Sequence, residues 1–278
     1  MLKYTFQRIL YMILVFLIIT LMCFVLIRML PPVQLPLGDP HTAIVEARRE
    51  AMGYNKPYMT QFGIFLRDIV TKFDWGISDK LFFGRDVVQI FTQRLPATVI
   101  VNLYSILFSI PIGIGLGVFA ALKKNTWIDY LISTLTMVVI SVPSFVYAFI
   151  IQYLFSYKLG WLPFLMKSGT DWFSPSMFVS MLPAVMALGF GTIAGFTRTT
   201  RAELTEVLTS DYLLLARTKG LSRGQTTVRH ALRNSMVPIF PMILGEFIGI
   251  IGGSLIIEQI FGNLLDNAIK YLDPKRPG

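Results

Sequence analysis

Five long apolar runs, spanning 9–30, 97–122, 130–157, 172–197 and 235–257, decide what this chain can become. A hydrocarbon core about 30 Å thick is crossed by roughly 20 apolar residues in a helix. Lipid offers no partner for backbone N–H and C=O groups, so a run of this length buries its own polar backbone by forming an α-helix. The alternating ten-residue pattern of a membrane β-barrel is absent. The expected fold is therefore an all-α, polytopic helical bundle with five spans. Composition agrees: 54% of residues are hydrophobic and 15% charged, against about 25% charged in an ordinary soluble domain. The N-terminal run is too long for a signal-peptide core and no small-x-small cleavage site follows it, so it reads as a retained first helix.

The net charge of +9 reflects loop asymmetry. Basic residues are dispersed, without interleaved aromatics, which excludes a nucleic-acid surface. Lys3 and Arg8 precede the first run, Lys123 and Lys124 follow the second, and 198–233 carries seven basic residues against three acidic ones. These three connections lie on one side if the spans alternate. The positive-inside rule makes that side cytoplasmic, with the N-terminus inside. The external connection 31–96 holds eight basic and seven acidic residues, and long loops translocate regardless of charge. Within it, 42–52 and 58–72 have helical composition. Phe62, Phe65, Leu66 and Ile69 recur at helical spacing, and Gly53, Pro57, Gly76 and Gly84 mark breaks. A small external subdomain is expected there. Cys23 is the sole cysteine, and His41 and His230 are the only histidines. An internal disulfide is thereby excluded, and no Cys/His metal site is expected.

The predicted organisation is a first helix at 1–30, an external subdomain at 31–96, a core at 97–257 that includes a cytoplasmic segment at 198–234, and an external tail at 258–278. Several spans contain helix breakers: Pro111 with Gly113, Gly115 and Gly117; Pro143; Pro183 with Gly189, Gly191 and Gly195; and Gly245, Gly249, Gly252 and Gly253. Close helix packing and a water-filled path account for them equally well. Glu246 is the one carboxylate well inside an apolar run, and burial in lipid would cost at least ~2.5 kcal/mol, so it should face the bundle interior. Arg28 sits at the outer end of the first run, where it can snorkel. Few buried acids and bases form a relay, which points to an external source of energy. The chain has no phosphate-binding loop of its own and no nucleophile–base pair, so no enzymatic role is expected.

The segment 210–238 is polar and basic between two apolar runs. Leu204, Val207, Leu208, Leu215 and Ala216 recur at helical spacing. Asp211 is placed to cap a short helix that begins near Tyr212, runs to Lys219 and stops at Gly220 in a left-handed cap. Ser222 then starts the next helix. The short helix presents Leu214 and Leu215 on one side and Arg217 and Lys219 on the other. It reads either as an interfacial loop or as a rigid knob for a partner.

Asp211, Tyr212, Ala216, Arg217, Lys219, Gly220 and Leu221, followed by His230-Ala231-Leu232-Arg233-Asn234 and Pro238, resemble the signature loop of the membrane subunits of binding-protein-dependent ABC importers, most closely the oligopeptide/dipeptide permease family. Gly38-Asp39-Pro40, Arg94-Leu95-Pro96-Ala97-Thr98, Ser141-Val142-Pro143-Ser144-Phe145, Leu159-Gly160-Trp161-Leu162-Pro163 and Gly252-Gly253 to Glu258 agree. The resemblance implies a type I ABC importer permease fold. It implies that Asp211, Tyr212, Leu214, Leu215, Ala216, Arg217, Lys219, Gly220 and Leu221 form a helix docking into a cytoplasmic ATPase. It implies a homologous permease subunit, two ATPase subunits that carry ATP and Mg, an external substrate-binding protein, and a bacterial or archaeal plasma (inner) membrane. This chain would bind no cofactor. Asn102, Ser141, Pro143 and Glu246 are the candidate path residues, with Glu246 placed where the family is usually uncharged. The family has a sixth span, which is expected beyond Gly278. The implied substrate is a peptide. The same family also imports nickel chelates and sugars. A stand-alone secondary transporter or channel would need no ATPase, and a non-transporting scaffold would need no path.

Overall fold

A computed structural model describes residues 2–30, 42–78, 82, 84–167, 169 and 171–250. The motifs Gly38-Asp39-Pro40 and Gly252-Gly253 to Glu258, the far end of the fifth run and the tail 258–278 lie outside the described residues. The chain divides into two compact units, Met1–Arg94 and Leu95–Gly278. The first helix and the external segment thus share one unit.

In that unit, α1 spans Leu2–Met29, α2 Thr42–Ala51 and α3 Tyr58–Lys72. The helices α2 and α3 form where composition predicts them. The apolar stripe of α3 packs on the end of α1, with the Phe24 ring 5.5 Å from Phe62 and 5.3 Å from Phe65. Arg28, expected to snorkel, is held by protein: its guanidinium lies 3.6 Å from the Tyr54 ring centroid. Buried Gln61 donates to the Tyr54 and Lys56 carbonyls at 3.3 and 2.8 Å and so closes the turn at Gly53–Pro57. The helix α3 ends on Phe73 in the left-handed region (φ 53°), whose N–H returns to the Asp68 and Ile69 carbonyls. Bonds from the Arg67 guanidinium, and then from Lys72, hold the Asp68 carboxyl below the ordinary carboxylate range, against the opposing effect of burial.

The second unit is built on α7, Pro175–Leu208. Its start follows from Ser174, whose Oγ accepts the Met177 N–H at 3.3 Å, and from Pro175 in the first turn, where no amide is needed. Against α7 pack α5 (Trp127–Ser141), α6 (Ser144–Ile151) and α10 (Arg233–Gly249). The helix α4, Val87–Leu122, begins ten residues before the expected start at Ala97 and carries Pro96 and Pro111 inside it. Residues 87–96 are not apolar enough to count as a span, but a helix need not stop where its hydrophobicity does. For the same reason α7 runs past Thr197 to Leu208.

Small residues on α4 set its approach to α7. A Cβ at Gly113 would lie 2.8 Å from the Ile193 carbonyl oxygen, and one at Gly117 would lie 2.7 Å from that of Thr197. Thr197 donates its hydroxyl to the Gly113 carbonyl at 3.1 Å. Gly115 points into open space. The Gly113-x-x-x-Gly117 pair is therefore a packing seam, which settles one of the two readings for these two residues.

The third run breaks at Val142-Pro143, where α5 and the following segment meet at 100°. Proline has no N–H, so the Val139 carbonyl loses its helical donor four residues on. The Val142 N–H reaches that carbonyl at 3.4 Å, and the Tyr147 hydroxyl adds a closer bond at 2.9 Å. Beyond Ile151 the chain continues as a π-helical stretch, Gln152–Lys158. Gln152 and Ser156 tie the following loop back by donating to the Phe164 and Pro163 carbonyls at 2.9 and 3.2 Å. Among the described residues, three helices are long and apolar enough to cross a membrane, with the bent pair as a fourth. The fifth run enters as α10, and its described helix ends at Gly249.

Candidate functional site

Below the end of α7 the chain turns through Thr209 and Ser210 into α8, Asp211–Thr218. Ser210 occupies the cap position and directs its hydroxyl to the Val207 carbonyl at 2.6 Å. Asp211 is the first helical residue, one place later than expected of a cap. Its charge still sits at the positive end of the helix.

The helix ends in two paired bonds. The Gly220 N–H reaches the Arg217 carbonyl at 3.0 Å, and the Leu221 N–H reaches that of Ala216 at 3.4 Å. This is a Schellman termination, and it requires the left-handed backbone that Gly220 adopts (φ 91°). Ser222 starts the next helix as expected, through a reciprocal pair: its N–H donates to the Gln225 side chain at 3.1 Å, and the Gln225 N–H returns to its hydroxyl at 3.3 Å. That helix, α9, covers Arg223–Thr226 and passes into a π-helical stretch, Thr227–Leu232, before α10. The elbow is therefore fixed at both ends by backbone geometry.

One residue seats α8. Leu213 is 1% exposed and packs with Ala121 at the end of α4, Leu204 on α7 and Ala231 in the second π-helical stretch. Leu214 and Leu215, read from the sequence as the apolar side of an exposed helix, are 61% and 56% exposed, and Tyr212 is 41% exposed. The buried contact falls on Leu213, which the sequence reading did not single out. Three apolar side chains thus stand on a surface that also carries Arg217 and Lys219. Neither of those two makes an ion pair among the described residues, and Arg217 Nε is buried without a hydrogen-bond partner. The helix has an anchored side and a free one.

A family model described as "Binding-protein-dependent transport system inner membrane component" matches residues 113–275, and the model of its N-terminal part matches residues 1–102. The chain belongs to this family. It is a multi-pass membrane subunit of a binding-protein-dependent ABC importer. Among its relatives, the dipeptide transport system permease protein DppB of Alkalihalophilus pseudofirmus is 31% identical, across 98% of this chain and 90% of the relative. The glutathione transport system permease protein GsiC of Escherichia coli K12 is also 31% identical, across 98% of this chain and 88% of the relative.

The residues expected along a path each have local partners or surroundings of their own. Half-buried Asn102 donates to the Thr98 carbonyl of its own helix at 2.8 Å. Exposed Ser141 donates to Met137 at 2.8 Å. Pro143 caps α6, and Glu246 lies half-buried on α10. No hydrogen bond or ion pair joins any two of them among the described residues.

Sequence reading missed Asp129, buried at the start of α5, and its pairing with Arg201 on α7. Arg201 was counted only as one of seven loop cations. The two are separated by 72 residues, and no local spacing signals such a pair. The π-helical stretches were missed for a related reason, since no residue pattern marks them.

Proposed function

We propose that this chain is the permease subunit of an ATP-driven peptide importer, and that α8 is the element that engages a cytoplasmic ATPase. In this reading, a homologous permease completes the helical bundle and two ATPase subunits bind ATP and Mg. An external binding protein delivers peptides of the dipeptide or oligopeptide class. The chain crosses the membrane with its N-terminus in the cytoplasm. Its five apolar runs are all spans, and the chain catalyses no bond-making step itself. The names of the relatives support peptides as the substrate class, and Glu246 offers a charge for a basic peptide.

The observation that carries the coupling role is the exposed Tyr212, Leu214 and Leu215 face on a helix seated by Leu213 and stopped by Gly220. An apolar face of this kind on a polar connection is explained by a partner's groove. Movement of the ATPases would then push a stiff knob and rock the helices above it.

The test is Gly220→Pro in the assembled transporter. Proline cannot adopt φ 91° and lacks the N–H that reaches Arg217, so the termination is lost while the transmembrane helices remain. ATP hydrolysis should persist and ATP-dependent uptake should fall at least tenfold. Full uptake by a correctly inserted variant would remove α8 from the coupling route.

A further inference from the structure

Asp129 is the most enclosed ionised side chain in the second unit among the described residues, with its side chain 1% exposed. Arg201 meets it with one edge of its guanidinium. Nε donates to Oδ1 and Nη2 donates to Oδ2, the latter at 2.8 Å. The Asn125 N–H adds a bond to Oδ2 at 3.0 Å, and the Ser133 hydroxyl approaches Oδ1 at 3.4 Å. Each carboxylate oxygen therefore has two donors. Asn125 takes the left-handed backbone (φ 63°) in the turn between α4 and α5.

The location of the pair matters more than its strength. A buried ion pair adds little net stability over apolar packing, because desolvation offsets the attraction. What it does impose is a register. Arg201 lies three residues before Leu204, which packs directly on Leu213, the seat of α8. Asp129 lies at the start of α5, whose far end is the Val142-Pro143 corner. Past that corner, Ala148 and Ile151 of α6 pack on Ala187 of α7. The helix α7 is thus fastened to the broken span on both sides of its bend. The lower fastening is the Asp129–Arg201 pair, one turn from the seat of α8.

We propose that Asp129 and Arg201 are positioning residues that form the transmission joint between α8 and the corner at Val142-Pro143. A displacement of α8 enters α7 through Leu213 and Leu204. The two-bond fork passes it to α5 without slip, and it arrives at the corner. Lysine cannot replace arginine here, because one ammonium cannot hold both carboxylate oxygens in a fixed plane. This inference rests on α8 being the ATPase contact.

The test follows the corner directly. In the assembled transporter carrying Ser141→Cys, the rate of modification of residue 141 by a water-soluble maleimide is measured with and without ATP, beside the rate of ATP hydrolysis. The expected result is a several-fold ATP-dependent change in the parent. In Arg201→Lys that change should be lost, with assembly and ATP hydrolysis retained. Asp129→Asn should act likewise, and if it does not assemble, Arg201→Lys alone decides. An unchanged ATP response in Arg201→Lys overturns the proposal, as does a parent whose residue 141 ignores ATP. In either case a Gly220→Pro variant that still loses uptake keeps α8 as the ATPase contact, so the two ideas fail separately.

Discussion

A single position separates a residue that holds the elbow from one that is offered to a partner. Leu213 is buried among Ala121, Leu204 and Ala231, and its neighbour Leu214 is exposed. Truncating a buried leucine to alanine costs about 2–5 kcal/mol. Leu213→Ala should therefore loosen α8 and lower the melting temperature of the purified subunit. Leu214→Ala should leave melting within experimental scatter and weaken ATPase co-purification instead. Equal effects of the two on melting would mean that Leu214 is also a core residue. The sequence offered the exposed pair Leu214 and Leu215 but not the buried seat, Leu213. All five residues from Tyr212 to Ala216 are apolar or aromatic, and only the surrounding elements choose which one is enclosed. Asp129 shows the same limit more sharply. Asn125 and Ser133 are local to it, but its charged partner lies 72 residues away, so the ion pair is set by topology.

Helices as units were more legible than their ends. The helices α2 and α3 formed where their composition placed them, because an amphipathic stripe and its bounding Gly and Pro residues are local properties. The starts of α4 and the end of α7 were misplaced because hydrophobicity marks the lipid boundary, whereas backbone hydrogen bonding ends a helix. The glycines of α4 could be assigned only from the packed pair. Since a Cβ at Gly113 or Gly117 would fall within 2.8 Å of α7 backbone atoms, Gly117→Val should force α4 and α7 apart at a cost of about 1–3 kcal/mol. Gly115→Ala, facing open space, should be neutral or slightly favourable through its higher helix propensity. Thermal unfolding of the two variants in detergent distinguishes them, and equal destabilisation would count against a one-sided seam. The proline corner is local in origin, but its repair is not. The donor lost at Val139 follows from Pro143, whereas the side chain that joins the Val142 N–H there, Tyr147, emerges only when the chain turns.

At the scale of the whole molecule, the class of the protein could be read from its five apolar runs and from the loop at 210–238. The substrate path could not: Asn102, Ser141, Pro143 and Glu246 lie on separate helices or at their ends, and no local spacing links them. Arg8 stacks its guanidinium 4.5 Å from the Tyr4 ring centroid, and Arg28 lies 3.6 Å from that of Tyr54. The two arginines are twenty residues apart in α1, or about 30 Å of helix, which matches the hydrocarbon thickness. A rod with a charged collar at each end works as a depth gauge. Acyl chains much shorter or longer than this gauge have to be met by tilt or by local deformation of the bilayer. Uptake in vesicles of graded acyl length should peak where the lipid fits between the collars, and Arg8→Ala should flatten that dependence.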